Sequence, residues 1–395
     1  MLIIVWLFLF TEYMLRVSDS AIIPELSQAF NINASGIGLL SSSYYFIYAA
    51  MQIPAGILLD RFGLTKLLAI AIFVLAISAF LMGASSNFTT VIIARLLMGA
   101  SSAFAFVGGL KIIAVHLHTT RRSLWIGIMM TVATLGAVSG QEPWLLLTKA
   151  FGDWRYVYYL LGVIVLLIAL WTFFLPNKED KNKLVTAGIN GKILKEKFSD
   201  KSFVSLMIYI GFLSAPITVF AAFWAIPFFY QGLHMDRDTA TSLSSLSWIG
   251  GLFGGPLLGF IADYFHKRKQ VLVTAGLSAA VIVLLILFLP LPSLLIALLL
   301  FVLGVFCNAH VVIFAEISET VPKSSVGFFM GLTNTCNIIA TPILQLVVGL
   351  MLSLQYTGTA ENGIALYHSL SYQKSLVIIP VLLIFVTLYV ARKLR

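Results

Sequence analysis

The sequence predicts an all-α integral membrane protein, with twelve transmembrane helices arranged as two six-helix halves. Three observations carry this expectation. The chain of 395 residues is 60% hydrophobic and only 10% charged, where soluble chains carry about 25% charged residues. It contains twelve apolar stretches near the ~20 residues needed to cross ~30 Å of hydrocarbon. Its second half also repeats features of the first: Gly56 and Asp60 recur as Gly259 and Asp263, both 203 positions further on.

Taken in order, the expected spans begin at 2–24, where the run MLIIVWLFLF opens the chain. Span 2 (37–58) ends in PAGILLDRFGLTK, and its Gly and charged residues stop the apolar pattern. Spans 3 (66–84), 4 (89–115), 5 (124–146) and 6 (155–175) complete the first half. Residues 176–201 are polar and Lys-rich and read as a linker. The second half then supplies spans at 203–231, 240–261, 271–289, 293–316, 325–352 and 373–391, with PLLGFIADYFHKRK ending span 8 as its counterpart ends span 2. The expected division is a bundle over 1–175, a cytoplasmic linker over 176–201 and a second bundle over 202–395.

Basic residues set the expected orientation. With the N-terminus inside, the inner loops and tail hold Arg61, Lys66, Arg121, Arg122, seven lysines between 178 and 201, Lys267, Arg268, Lys269, Lys323, Arg392, Lys393 and Arg395. The outer loops hold only Lys149, Arg155, Arg237 and Lys374. Both termini are therefore expected in the cytoplasm, with a bacterial inner membrane as the setting. The same bias accounts for the net charge of +9 without a nucleic-acid partner. The start lacks the basic region and cleavage site of a signal peptide. Cys307 and Cys336 fit no metal or redox spacing. Asn33-Ala-Ser35 and Asn87-Phe-Thr89 match a glycosylation sequon, but each sits almost against the membrane and reads as chance. No HExxH, GxSxG or Walker sequence occurs, so neither an enzyme nor a nucleotide-driven pump is indicated. No metal or organic cofactor is expected, and an ion gradient, protons first, is the expected energy source.

The region between spans 2 and 3 resembles the signature of the major facilitator superfamily, in Gly56, Asp60, Arg61, Gly63 and Lys66. Span 4 is similar to the family's Arg-x-x-x-Gly element, in Arg95 and Gly99. The resemblance covers essentially the whole chain. It implies the major facilitator fold, alternating access around a central site, and inner-face contacts made by Asp60, Arg61, Arg95, Asp263, Arg268 and the nearby basic residues. The stretches RVSDS and MQIPAGILLDRFG also look like nutrient importers of intracellular Gram-negative bacteria, for amino acids or siderophores. Drug–proton exchangers of the family often carry a Gly- and Pro-containing motif on span 5. Here the segment reads GAVSGQEPW, with Gly136 and Gly140 present but Gln141 and Glu142 before Pro143, which favours uptake over efflux.

Glu12, Arg16 and Asp19 stand at i, i+4 and i+7 of span 1 and share a helix face. Three charges near the bilayer centre cost up to ~10 kcal/mol, far beyond what apolar neighbours return. The face must therefore point into the bundle or a wet cavity. Arg16 suits a carboxylate or phosphate. Glu12 and Asp19 are expected to steady it, to bind a substrate amine or to carry a proton. The competing reading is an internally neutralised network that only locks span 1. Span 2 places Ser41, Tyr45, Tyr48 and Gln52 on one face. Span 11 places Asn334, Asn337, Thr341 and Gln345 on another, as a substrate path or as interhelical hydrogen bonding. Span 7 has no charge and offers Tyr209, Phe212, Phe223, Trp224, Tyr230 and Gln231, as ligand wall or packing. Lys111 is a second anion partner if it faces inward, or snorkels if it does not. His310 and Glu142 are further proton candidates.

The expected function is secondary transport, proton-coupled uptake of a small solute bearing a carboxylate, such as an amino acid, short peptide or organic anion. A monomer supplies both halves. Efflux of a drug or siderophore and a transport-dead solute receptor are the alternatives.

Overall fold

The structure is a computed structural model that describes residues 1–116, 122–175, 191–322, 326–358, 360–361 and 364–393. The chain forms two compact units, one of Met1–Thr186 with Asn362–Ile364, the other of Ala187–Glu361 with Ala365–Arg395. Among the described residues the protein is almost wholly α-helical, apart from a two-residue ladder between Ala360–Glu361 and Ile364–Ala365.

In the first unit, α1 (Leu2–Ala21) gives way at Ile22 to the short α2 (Ile23–Phe30), which Pro24 helps to start. Pro suits a first helical turn because the missing N–H has no intrahelical partner there. Asn31 ends α2 in the left-handed region, φ 50°. α3 (Ala34–Phe62) is capped by Asn33, whose Oδ1 accepts from Gly36 N at 3.2 Å and from Ser35 Oγ at 2.7 Å. Asn87 starts α5 (Phe88–His116) in the same way, accepting from Thr90 N at 2.9 Å. Both sequon-like asparagines thus have a structural job, satisfying orphan N–H groups at helix starts. Between α3 and α4 (Leu64–Gly83), Gly63 takes φ 91°, which explains a glycine in the DRFGLTK turn.

Span 5, expected as one helix, is two: α6 (Arg122–Ser139) and α7 (Glu142–Phe151), broken at Gly140–Gln141. Gly140 lacks the side chain that favours helix, and Pro143 lacks a donor for the preceding turn. α8 (Trp154–Phe173), capped by Asp153, completes the unit.

The second unit opens with a helix where a linker was expected, α9 (Gly191–Ser199). Residues 176–190 of that linker lie outside the described residues. α10 (Lys201–Gly232) is span 7, and it carries π-helical turns over Pro216–Trp224 and Phe228–Gly232. Pro216 and Pro227 explain them: each removes an N–H and pushes its ring at the carbonyl four residues back, so the register widens. α11 (Arg237–Tyr264) is capped by Asp236, whose carboxylate accepts from Thr239 N at 2.8 Å and Thr239 Oγ1 at 2.5 Å. Those bonds hold its carboxyl below the usual range. α12 (Arg268–Phe288) follows. α13 (Ser293–Thr320) breaks at Asn308–Ala309, where Asn308 Nδ2 bonds back to Gly304 O at 3.0 Å. Such local bonds compete with the helix ladder. α14 (Val326–Ser353) and α15 (Ser369–Lys393, interrupted at Val377) end the chain's helices.

Twelve described segments therefore stand where twelve spans were expected. Nine described helices are long and apolar enough, by length and composition, to cross a membrane. α1 is not among them, and its three charges account for that.

Candidate functional site

The charges of α1 resolve into two buried ion pairs. Arg16 Nη2 lies 2.7 Å from Glu12 Oε1, and Arg16 Nε donates to Glu12 Oε2 at 3.2 Å. Asp19 Oδ2 lies 3.0 Å from Arg95 Nη2, reached across from α5. Glu12, Asp19 and Arg95 are at most 1% exposed and Arg16 is 5% exposed. That level of burial is tolerable for ionised groups only because each has an opposite partner. The four charges sum to zero.

Arg95 does more than neutralise Asp19. Its Nη1 donates to Leu15 O at 2.9 Å and its Nη2 to Arg16 O at 3.1 Å. It therefore clamps the backbone of α1 midway between the two acidic residues. Gly99, one turn further on, sets the approach: a Cβ there would overlap the carbonyl oxygen of Tyr44. This is the physical content of the Arg-x-x-x-Gly element. Gly136 and Gly140 act likewise, since a Cβ at either would overlap the carbonyl of Phe10 or Met14 on α1. In this chain these two span 5 glycines are seats for α1.

Tyrosines close around Arg16. Its guanidinium carbon is 4.1 Å from the ring centre of Tyr13, 4.4 Å from Tyr48, 5.6 Å from Tyr44 and 5.9 Å from Tyr45. Distances under ~6 Å are those of cation–π attraction. Tyr44 is the pivot. Its hydroxyl donates to Glu12 Oε2 at 3.0 Å and accepts from Arg16 Nε at 3.2 Å, while Arg95 sits 4.9 Å over its ring. The sequence pattern put Ser41, Tyr45, Tyr48 and Gln52 on one stripe and passed over Tyr44 and Tyr13. The available signal was the i, i+4 pair Tyr44–Tyr48, whose rings stack 5.9 Å apart. Ser41, Tyr45, Tyr48 and Gln52 are all buried beside this cluster on α3.

Other candidates are placed elsewhere. Lys111 Nζ donates to Leu59 O at 2.6 Å, tying α5 to the end of α3, away from Arg16. Glu142 is half-buried in the first turn of α7. Arg61 and Lys66 are exposed on either side of Gly63, with Gly56 about two turns inside the end of α3; the side chain of Asp60 lies outside the described residues.

In the second unit, α10 and α14 are laced together. Ser214 Oγ donates to Asn337 Oδ1, Thr218 and Thr341 hydroxyls meet at 2.7 Å, and Gln345 Nε2 donates to Thr218 O at 3.0 Å. The span 11 stripe thus serves interhelical bonding at Asn337, Thr341 and Gln345. Asn334 differs: it is 6% exposed, and its Nδ2 has no hydrogen-bond partner among the described residues. Trp224, in the π-helical stretch, likewise keeps an unmet buried Nε1–H. Tyr209 does not join them. Its hydroxyl donates to Leu272 O at 2.6 Å, on α12. His310 Nδ1 lies 3.1 Å from Cys307 O at the break in α13.

Near the helix ends, Arg268 gathers three carboxylates. Its donors reach Asp263 at 3.0 and 3.3 Å, Glu316 at 2.9 Å, and Glu319 at 2.7 and 2.8 Å. Arg268 and Asp263, expected to act together, are thus joined across the α11–α12 turn, with α13 as the third member. Among the described residues, no cluster of three or more His, Cys, Asp or Glu could hold a metal ion.

Residues 1–344 match the family model of the Major Facilitator Superfamily. The chain is 25% identical to the "Uncharacterized transporter YybO" of Bacillus subtilis, over 65% of this chain and 63% of that protein, just under two thirds of its length. It is 24% identical to the "Probable galactarate/D-glucarate transporter GarP" of Escherichia coli, over 89% of this chain and 87% of that one. It is 25% identical to the "Hexuronate transporter" of Bacillus subtilis, over 95% and 93%. Among solved structures, a bacterial homologue of the human lysosomal transporter Spinster, inward-facing and unoccupied, superposes with a TM-score of 0.77 at 16% identity, over 99% of this chain and 96% of that one.

Proposed function

The chain belongs to the major facilitator superfamily, and we propose that it is a proton-coupled importer of a small carboxylate-bearing solute of the sugar-acid class. It is a transmembrane transporter and not an enzyme. The observation that carries the substrate class is Arg16. Its Nη2 and Nε face Glu12, Tyr44 and Tyr48 hydrogen-bond it as well, and four tyrosine rings surround it. A buried guanidinium whose one carboxylate partner can be released by a proton suits capture of a substrate carboxylate. Tyr13, Tyr45 and Tyr48 around it suit the hydroxyl groups of a sugar acid.

Of the expected substrates, amino acids and peptides fit less well. Their ammonium group needs a spare carboxylate, and Glu12 and Asp19 are both already paired with arginines. The similarity to galactarate/D-glucarate and hexuronate transporters supports the same class.

Glu12 and Asp19 are the proposed proton carriers. A proton on Glu12 cancels its hold on Arg16 and leaves the guanidinium to the substrate. Alternating access follows from family membership. The proposed setting is a bacterial inner membrane with both termini cytoplasmic, which rests on the distribution of Lys and Arg.

The test is thermal stabilisation of the purified protein by D-glucarate, D-glucuronate, amino acids, dipeptides, sugars and lipophilic cations, followed by uptake into proteoliposomes. A ligand at a hundred times its dissociation constant stabilises by about 2.7 kcal/mol. Stabilisation by a sugar acid that vanishes in Arg16→Ala supports the reading. Stabilisation by neutral sugars or cations alone refutes it.

A further inference from the structure

We propose that α9 is a membrane-surface helix that binds anionic phospholipid headgroups. Nothing in the transport cycle above calls for this helix. Three features of it converge.

The first is position. α9 ends at Ser199, and Asp200 caps the next helix, accepting from Ser202 N at 2.9 Å. From Lys201 the chain runs as a single apolar helix to Gly232. The segment therefore lies where the polar phase meets the lipid.

The second is shape. At 3.6 residues per turn, Ile193, Leu194 and Phe198 fall on one side of α9 and Lys195, Glu196 and Ser199 on the other. Ile193 and Leu194 are half-buried, while Phe198 is 51% exposed. The ring of Phe198 meets Phe203 edge-on at 6.0 Å, and Phe203 meets Phe329 edge-on at 5.6 Å. This chain of rings holds α9 against α10 and α14 with the outer part of its apolar side uncovered. An apolar strip beside a membrane-crossing helix suits the acyl boundary.

The third is charge. Lys195 and Lys201 are exposed, and half-buried Lys197 falls within the apolar arc, between Ile193 and Leu194 around the helix, where a lysine stem can follow the hydrocarbon and lift its ammonium to the headgroups. Among the described residues none of the three has a carboxylate partner. A cationic rim around an exposed phenylalanine complements an anionic lipid surface. It suits nucleic acid or an acidic protein less, because the membrane already occupies the adjacent space. Each lysine near an anionic leaflet contributes about a fivefold gain in affinity, so three contribute roughly a hundredfold.

The experiment uses the full chain in lipid nanodiscs of phosphatidylcholine, with or without an equal part of phosphatidylglycerol. Amide hydrogen exchange is followed over 191–199, in the wild type and in Lys195→Gln/Lys197→Gln/Lys201→Gln. The expected result is exchange at least about tenfold slower with phosphatidylglycerol, an effect that the triple variant loses and high salt weakens. Equal exchange in the two lipids overturns the proposal. So does slowing that persists in the triple variant, which would mean apolar insertion alone. Equal slowing by inorganic phosphate in phosphatidylcholine discs also overturns it, because the site would then take a free anion.

Discussion

Replacing Glu12 and Arg16 singly and together tests whether they act as one unit. The pair has contacts of 2.7 and 3.2 Å at 0% and 5% exposure. The same i, i+4 pair on a wet helix surface would contribute about 0.3–0.5 kcal/mol. Buried, its balance is different: removing one partner leaves an uncompensated charge and costs about 3–5 kcal/mol. Removing both removes the two desolvation costs with the attraction. Glu12→Gln and Arg16→Gln should each lose about 3–5 kcal/mol, and the double variant should lose less than either single one. The assay is denaturant unfolding of the four full-length proteins in detergent, with uptake measured in parallel. Losses that simply add, within about 0.5 kcal/mol, would refute the reasoning. In uptake, Arg16→Gln should be inactive, while Glu12→Gln should bind substrate with little dependence on pH.

Tyr44→Phe removes a donor to Glu12 and an acceptor for Arg16 inside a dry cluster; the expected loss is about 1–3 kcal/mol, read by the same unfolding assay. Gly99→Ala forces α5 away from the Tyr44 carbonyl and should cost about 1–3 kcal/mol. Gly127→Ala, where an added Cβ meets nothing within 4 Å, should gain about 0.5–1 kcal/mol and serves as its control. Arg268→Gln leaves Asp263, Glu316 and Glu319 facing one another; these half-exposed pairs contribute about 0.2–1 kcal/mol each, so the loss should be small and should shrink in high salt.

Much of the fold was legible because a bilayer enforces a simple grammar. Each crossing needs a long apolar run, and all twelve stood where those runs lie. Irregularities were less legible. The breaks at Gly140–Gln141 and Asn308–Ala309 and the π-helical turns of α10 arise from single residues, which hydropathy averages away. α9 was hidden by its lysines, since a short amphipathic helix is polar on average. The shared face of Glu12, Arg16 and Asp19 was readable from spacing. Its division into two pairs was not, because Arg95 comes from a helix about eighty residues away. Tyr44 escaped because its role depends on how α1, α3 and α5 pack together, and the close seat of α5 on α3 rests on the missing side chain at Gly99. Tyr209 looked like a ligand wall by composition, yet its hydroxyl is committed to Leu272.

The grip of Arg95 on α1 has an evolutionary consequence. It holds the carbonyl oxygens of Leu15 and Arg16, groups that every amino acid at those positions would present. The helix is thus seated by its backbone, and most of its side chains are released from the task of seating it. A lineage can exchange the residues that select a solute, one position at a time, while the scaffold stays in register. Position 95 itself has no such freedom, because a lysine cannot span two carbonyls and a carboxylate in one plane.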